Sequence, residues 1–276
     1  MQGKRILITG ANSGIGLVAA RELAAQGAEI VLACRDSAKT EKALREISAA
    51  GGTPAVNLPV DLSSFASVRA LADSFLKKYD RLDVLINNAG TLPNTQQFTK
   101  DGYEMQIGVN HFAHFLLTNL LLDCLTASAP SRIITISSTL HKQGQIDFDT
   151  FKGFDSYDGR HSYNQSKLAN ALFAVELAKR LEGTGVTSNY LHPGAVQTDI
   201  VRDFPWYLRL AVRFMFISPE KGALTTIKLA SEPSLDDTTG TYFDQCEVAD
   251  PSPYTNDDAL RRKLWDVSAE AVGLTA

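Results

Sequence analysis

Apolar residues run along this chain in two alternating rhythms. Short, nearly unbroken apolar runs at Lys4–Gly10 (KRILITG), Glu29–Arg35 (EIVLACR) and Pro54–Leu62 (PAVNLPVDL) have the length of buried strands. Between them, at Gly14–Gly27, Ser37–Gly52 and Ser63–Tyr79, apolar positions recur every three or four residues, the spacing of a helix face. A glycine closes the first helix, and Ser63 or Ser64 is placed to cap the third. The alternation continues. Arg81–Gly90 predicts a strand and turn, Tyr103–Leu125 a long helix and Ser131–Ser138 a strand. Tyr157–Leu181 predicts a helix, Gly185–Gly194 a strand and Thr241–Asp244 a last strand.

Fully apolar strands separated by helices of several turns require a sheet buried on both faces, and right-handed crossovers wind it in both directions. The expected fold is therefore α/β, a single-domain Rossmann-like doubly wound parallel sheet with helices on both faces. A cofactor part over 1–198, a substrate lid over 199–218 and a C-terminal completion over 219–276 divide it. Thr139–Asp158 and Asp199–Ser218 read as loops on that one domain.

Composition narrows the function classes. A hydrophobic share of 44% supports a large core, and a formal charge of -4 spread along the chain gives no nucleic-acid surface. Cys34, Cys124 and Cys246 are far apart and form no CxxC, which argues for a reducing compartment and against a disulfide framework or zinc site. Met1 leads straight into a strand pattern without a signal peptide or presequence, and no apolar run is long enough to span a membrane. A cytoplasmic location is the expectation.

The first candidate chemistry is Thr9–Gly16 (TGANSGIG), with Gly10, Gly14 and Gly16 between a strand and a helix. Glycines let backbone approach a pyrophosphate, and the helix N-terminus supplies free N–H groups and partial positive charge. The spacing is GxxxGxG, neither the commonest dinucleotide fingerprint nor a P-loop. A carboxylate at the end of the second strand would favour NAD(H) by binding the ribose hydroxyl. This chain has Cys34 and then Arg35 there, a guanidinium suited to a 2′-phosphate, so NADP(H) is expected over NAD(H).

Tyr163 and Lys167 are four apart on one helix, a spacing that by itself equally describes solvated surface. Taken with the glycine turn and Asn87–Gly90 (NNAG), it forms a set that resembles the short-chain dehydrogenases/reductases over nearly the whole chain. TGANSGIG, LACRD, LINNAG, NHFAHFLLTNLLL, YNQSKLAN and SPEKGA are most similar to the retinol-dehydrogenase-like branch. The resemblance implies a tetrad of Asn110, Ser138, Tyr163 and Lys167, with Ser137 the alternative serine. Tyrosine would give a proton to the substrate oxygen, lysine would lower its pKa and hold the nicotinamide ribose, serine would bind the substrate oxygen, and asparagine would anchor a water relay. The resemblance further implies that Ser13 and Ile15 lie near the pyrophosphate and that Asp61 and Leu62 meet the adenine. Asn88, Ala89 and Gly90 would form the cofactor floor. Pro193, Gly194 and Val196 would meet the nicotinamide, and Thr198 its carboxamide or the phosphates.

Phe204–Ile217 packs large apolar side chains around arginines directly after that cofactor segment. Core packing and a membrane-facing peripheral helix are alternatives, but the position favours a lid in which Trp206 and Phe214 contact a lipophilic substrate. His111 and His114 lie three apart but lack further ligands at metal spacing, so they read as packing beside Asn110 and no metal is expected. Leu168, Leu172, Phe173, Val175 and Leu177 occupy more than one face of the tyrosine helix, consistent with a homo-oligomer or with deep burial. The function expected is an NADP(H)-dependent oxidoreductase acting on a lipophilic alcohol or carbonyl: retinoid-, steroid- or aliphatic-aldehyde-like. The alternative is a non-catalytic NADP-binding regulator, disfavoured because every tetrad position is filled. An epimerase or dehydratase on a related fold would need a longer C-terminal domain.

Overall fold

The computed structural model describes residues 1–194 and 218–274. Its centre is an eight-stranded sheet in the order β3-β2-β1-β4-β5-β6-β7-β8. The strands are β1 (Arg5–Thr9), β2 (Glu29–Cys34), β3 (Val56–Pro59), β4 (Val84–Asn87), β5 (Ser131–Ile136), β6 (Val186–His192), β7 (Tyr242–Asp244) and β8 (Glu247–Val248). All pairs are parallel except β7 with β8, a short antiparallel addition that the apolar pattern did not indicate. The order reverses between β1 and β4, and there the ends of neighbouring crossovers diverge and leave a crevice.

Period-two alternation sorts the strand residues into two apolar layers. Ile6 and Ile8 face one layer, which includes residues of α1 (Gly14–Ala25), α2 (Ala38–Gly51) and α8 (Pro219–Ser231). Leu7, between them, faces the other, built on α3 (Phe65–Lys78), α5 (Ala113–Leu120), α7 (Gly159–Arg180) and α9 (Asp258–Val272). The caps follow side-chain chemistry. Ser64, rather than Ser63, accepts from Ser67 N to start α3, and Asp158 accepts from Arg160 N and His161 N to start α7.

The helix expected over Tyr103–Leu125 is divided. It comprises one turn, α4 (Met105–Ile107), a π-type turn over Gly108–Phe112, then α5, and α6 (Leu122–Ala127). Residues 106–118 are buried on every side, so no one-sided apolar stripe is present to reveal the inserted residue. The close approach at Gly108 is specific: a Cβ there would lie 2.4 Å from Thr99 Cγ2. The Thr139–Asp158 stretch holds two 3-10 turns, Thr139–Gln143 and Phe148–Lys152, and buries Phe151 against Phe112.

Leu168, Leu172, Phe173 and Leu177 of α7 are buried within the chain. Phe173 stacks on Trp265 of α9 with ring centroids 5.9 Å apart, so the chain's own C-terminal helix covers that face. Among the described residues, no helix is long and apolar enough to cross a membrane.

Candidate active site

Parallel strands bring the C-terminal ends of β1, β2, β4, β5 and β6 to one edge of the sheet, and most of the candidate residues lie there. Gly10 and Gly14 have positive φ, 67° and 55°. A Cβ on Gly16 would stand 2.5 Å from Asn88 Nδ2, so the glycine turn and the NNAG turn touch where only glycine fits. The first turn of α1 carries no acidic residue, and its N-cap Ser13 makes no side-chain capping bond. Its N–H groups and positive dipole end therefore suit an anionic pyrophosphate, and the residues fit a bound dinucleotide. Beneath the turn lies Cys34. Burial raises its thiol to about 11, against hydrogen bonds from the N–H groups of Asn12, Ala11 and Gly10.

Arg35 is exposed directly after β2. Its carbonyl accepts from buried Thr40 Oγ1 at 2.7 Å, and Thr40 Oγ1 in turn accepts from Asn12 Nδ2 at 3.0 Å. The glycine turn and the strand end are thereby fixed to each other. Asp36 accepts from Asn57 Nδ2 at 2.8 Å. Asp61 is held down to about 2: burial raises it, but Lys100 at 2.8 Å and Ser63 outweigh burial. Leu62 packs half-buried against the core below.

Ser138, Tyr163 and Lys167 come together. Ser138 hydrogen-bonds the Tyr163 side chain, offsetting part of the burial that pushes the phenol up to about 12. Lys167 Nζ lies 5.5 Å from the Tyr163 ring centre and donates to the Ile136 carbonyl at 3.0 Å. Burial lowers its ammonium to about 8. Gly90 faces this group, since a Cβ there would be 3.7 Å from Lys167 Nζ and 3.4 Å from Asn110 Oδ1. Ser137 is turned away, its hydroxyl donating to the Lys167 carbonyl.

Asn110 sits in the π-type turn and acts as a clasp. Its Oδ1 accepts from Thr91 N at 2.7 Å, and its Nδ2 donates to Thr91 O at 3.1 Å and to Ser166 Oγ at 3.0 Å. Both amide hydrogens are thus committed to protein, and Ser166 Oγ donates onward to the Tyr163 carbonyl. A water at Asn110 would therefore bind through an oxygen rather than through the amide hydrogens.

Thr9 and His114, to which the sequence reading gave no role in the chemistry, join the site. Thr9 Oγ1 accepts from the N–H groups of Asn88 and Ala89 at 2.9 and 3.0 Å, and Asn88 Nδ2 donates to Thr9 O. His114 bridges Thr9 and the Asn110 carbonyl. His111 points elsewhere, to Ser268 on α9, so the two rings do not converge. His141 links the Ser138 carbonyl to Ser252 N. Pro193 and Gly194 lie half-buried after β6, Gly194 with φ 86°. Val196, Thr198, Trp206 and Phe214 lie outside the described residues.

Comparison with known proteins places this architecture. The family profile described as short chain dehydrogenase matches residues 4–205. Retinol dehydrogenase 14 of Homo sapiens is 46% identical, covering 99% of this chain and 88% of its own. A solved structure of an uncharacterized protein from Mycobacterium Paratuberculosis is 32% identical with TM-score 0.81, over 99% of this chain and 94% of that one. The RhlG/NADP active-site complex of Pseudomonas aeruginosa is 27% identical with TM-score 0.73, over 88% and 95%. The chain belongs to the short-chain dehydrogenase/reductase superfamily, in its retinol-dehydrogenase-like branch.

Proposed function

We propose that this short-chain dehydrogenase/reductase is an NADP(H)-dependent enzyme that interconverts a lipophilic alcohol and its aldehyde or ketone. The observation that carries the reading is the meeting of Ser138, Tyr163 and Lys167 beside the NNAG turn. Tyr163 gives its phenolic proton to a carbonyl oxygen as that oxygen gains alkoxide character. Ser138 hydrogen-bonds the same oxygen and orients it against Tyr163. Lys167, cationic below about pH 8, lowers the cost of the phenolate left behind. A bound nicotinamide dinucleotide supplies the hydride.

Preference for the 2′-phosphate rests on Arg35, exposed at the end of β2 with its backbone held by Thr40, and on Asp36 being engaged by Asn57. The named relative, a retinol dehydrogenase, supports a retinoid-like, steroid-like or long aliphatic substrate, as do the large apolar residues of the 204–217 stretch.

The test is NADPH consumption with carbonyls graded by size and polarity. Tyr163→Phe is expected to lose at least about 10²-fold in kcat while still binding NADPH. Arg35→Ala is expected to weaken NADPH by about tenfold and NADH hardly at all. An active Tyr163→Phe, or an Arg35→Ala with wild-type NADPH affinity, defeats the corresponding half of the proposal.

A further inference from the structure

We propose that His114 is a positioning residue, a neutral imidazole that holds the Asn110 main chain against the cofactor floor and so governs turnover. The inference rests on the oxidoreductase reading above. It starts from hydrogen counting. The Asn110 carbonyl can only accept, so the His114 Nδ1 that lies 2.9 Å from it carries the proton. Burial lowers the ring to about 4 despite that bond, so it is neutral and its Nε2 accepts. Thr9 has one hydroxyl hydrogen, and His114 Nε2 at 2.9 Å is a nearer acceptor than Ile86 O at 3.4 Å. The other two hydrogen-bonding positions of that hydroxyl take the Asn88 and Ala89 N–H groups.

Every polar atom of this ring, 1% exposed, is therefore used, and the two ends differ in what they hold. At one end Thr9 gathers the glycine turn and the NNAG turn. At the other, the Asn110 carbonyl lies in a π-type turn, and its side chain clasps Thr91 and Ser166. Ser166 precedes Lys167 and bonds the Tyr163 carbonyl. A displacement of the Asn110 backbone reaches α7 between Tyr163 and Lys167 through Ser166. A ring present only for packing would not need both nitrogens matched to these partners.

Two substitutions divide the ring. His114→Asn keeps an amide N–H near the Nδ1 position. Five residues later, Asn119 Nδ2 makes the same kind of bond to Phe115 O at 2.8 Å. His114→Gln reaches toward Thr9 with a carbonyl oxygen and releases Asn110. Expected in the full-length enzyme is a crossed pattern. His114→Gln loses about tenfold in kcat with NADPH Kd near wild type, whereas His114→Asn keeps kcat within about threefold and raises Kd. Equal losses in both variants that follow their thermal stability, or an unchanged kcat in His114→Gln, overturn the assignment. If His114→Gln does not fold, Ser166→Ala, which cuts the same route from Asn110 to α7, must lower kcat with NADPH Kd near wild type; wild-type kcat in Ser166→Ala overturns the proposal equally. Tyr163→Phe separates the layers of inference. An active Tyr163→Phe removes the oxidoreductase reading, while an inactive one beside a fully active His114→Gln removes only the role of His114.

Discussion

Ser137 donates its hydroxyl to the main-chain carbonyl of Lys167 at 2.7 Å, whereas the adjacent Ser138 hydrogen-bonds Tyr163. Successive residues at a strand end point to opposite sides, so neighbours of one type acquire different tasks. Ser138→Ala is expected to lower kcat by about 10²-fold with little change in melting temperature. Ser137→Ala is expected to keep most of the turnover and cost about 1 kcal/mol in urea unfolding. The reverse pattern would exchange the roles of the two serines.

The buried ammonium of Lys167 is a stability liability with a defined sign. Its folded-state pKa lies near 8 rather than 10.5, so the unfolded chain binds more protons between those values. Stability is gained as pH rises through that window, and below pH 8 the folded apo-protein bears the whole penalty, about 3 kcal/mol. Lys167→Met should therefore melt higher than wild type at pH 7 while losing activity, and the advantage should vanish toward pH 10.5. Melting curves at the two pH values without cofactor give the comparison. A lower melting temperature for the variant at pH 7 refutes the cost assigned to burial.

Acid should unfold the protein early. Burial lowers His111 to about 3 and His114 to about 4, and it lowers His141 and His192 as well. Each is neutral in the fold, and each charges in the unfolded chain below its ordinary value near 6.5. Stability is complete above that pH and falls as pH decreases toward the folded values. His111 and His114 alone bring the slope to about 3 kcal/mol per pH unit at its steepest, and His141 and His192 add to it in the same direction. Urea unfolding between pH 7 and pH 5 measures it, and a flat profile would mean that the rings charge without unfolding.

Glu104 joins the helix that carries Asn110 to the one that carries Tyr163. Its fully buried carboxylate accepts from Gln106 N, Ile107 N and Ser162 Oγ, and from Tyr157 OH at 3.3 Å. Glu104→Ala strands several buried donors and should cost about 3 kcal/mol or more; Glu104→Gln, which keeps an acceptor, should cost less. Equilibrium unfolding of both ranks them. Equal effects would mean the charge matters more than the bonds.

Much of the fold was legible in the chain because its cues are local. Apolar runs against three-to-four-residue spacing foretold seven strands of the parallel order and the helices between β1 and β6, but not α8 between β6 and β7. What also escaped was the π-type turn around Asn110, because the segment is buried on every side and shows no one-sided stripe whose phase could shift. The two-residue β8 was too short to leave a pattern. Of the apolar residues of α7, Leu168, Leu172, Phe173 and Leu177 are buried within the chain, with Phe173 against α9, while Val175 is half-buried.

By itself the sequence determined the alternating α/β order and the glycine turn, and by resemblance it pointed to Tyr163, Lys167 and their serine and asparagine companions. Backbone conformation and burial period are properties of neighbouring residues, and both can be read along a line. Only the tertiary structure decided which serine faces the tyrosine, that Asn110 is a clasp, and that His114 joins Thr9 across 105 residues of chain. Those are bonds between buried polar groups, and their partners are chosen by how the strands and helices pack, since each donor and acceptor taken out of water must find a mate wherever the fold brings one.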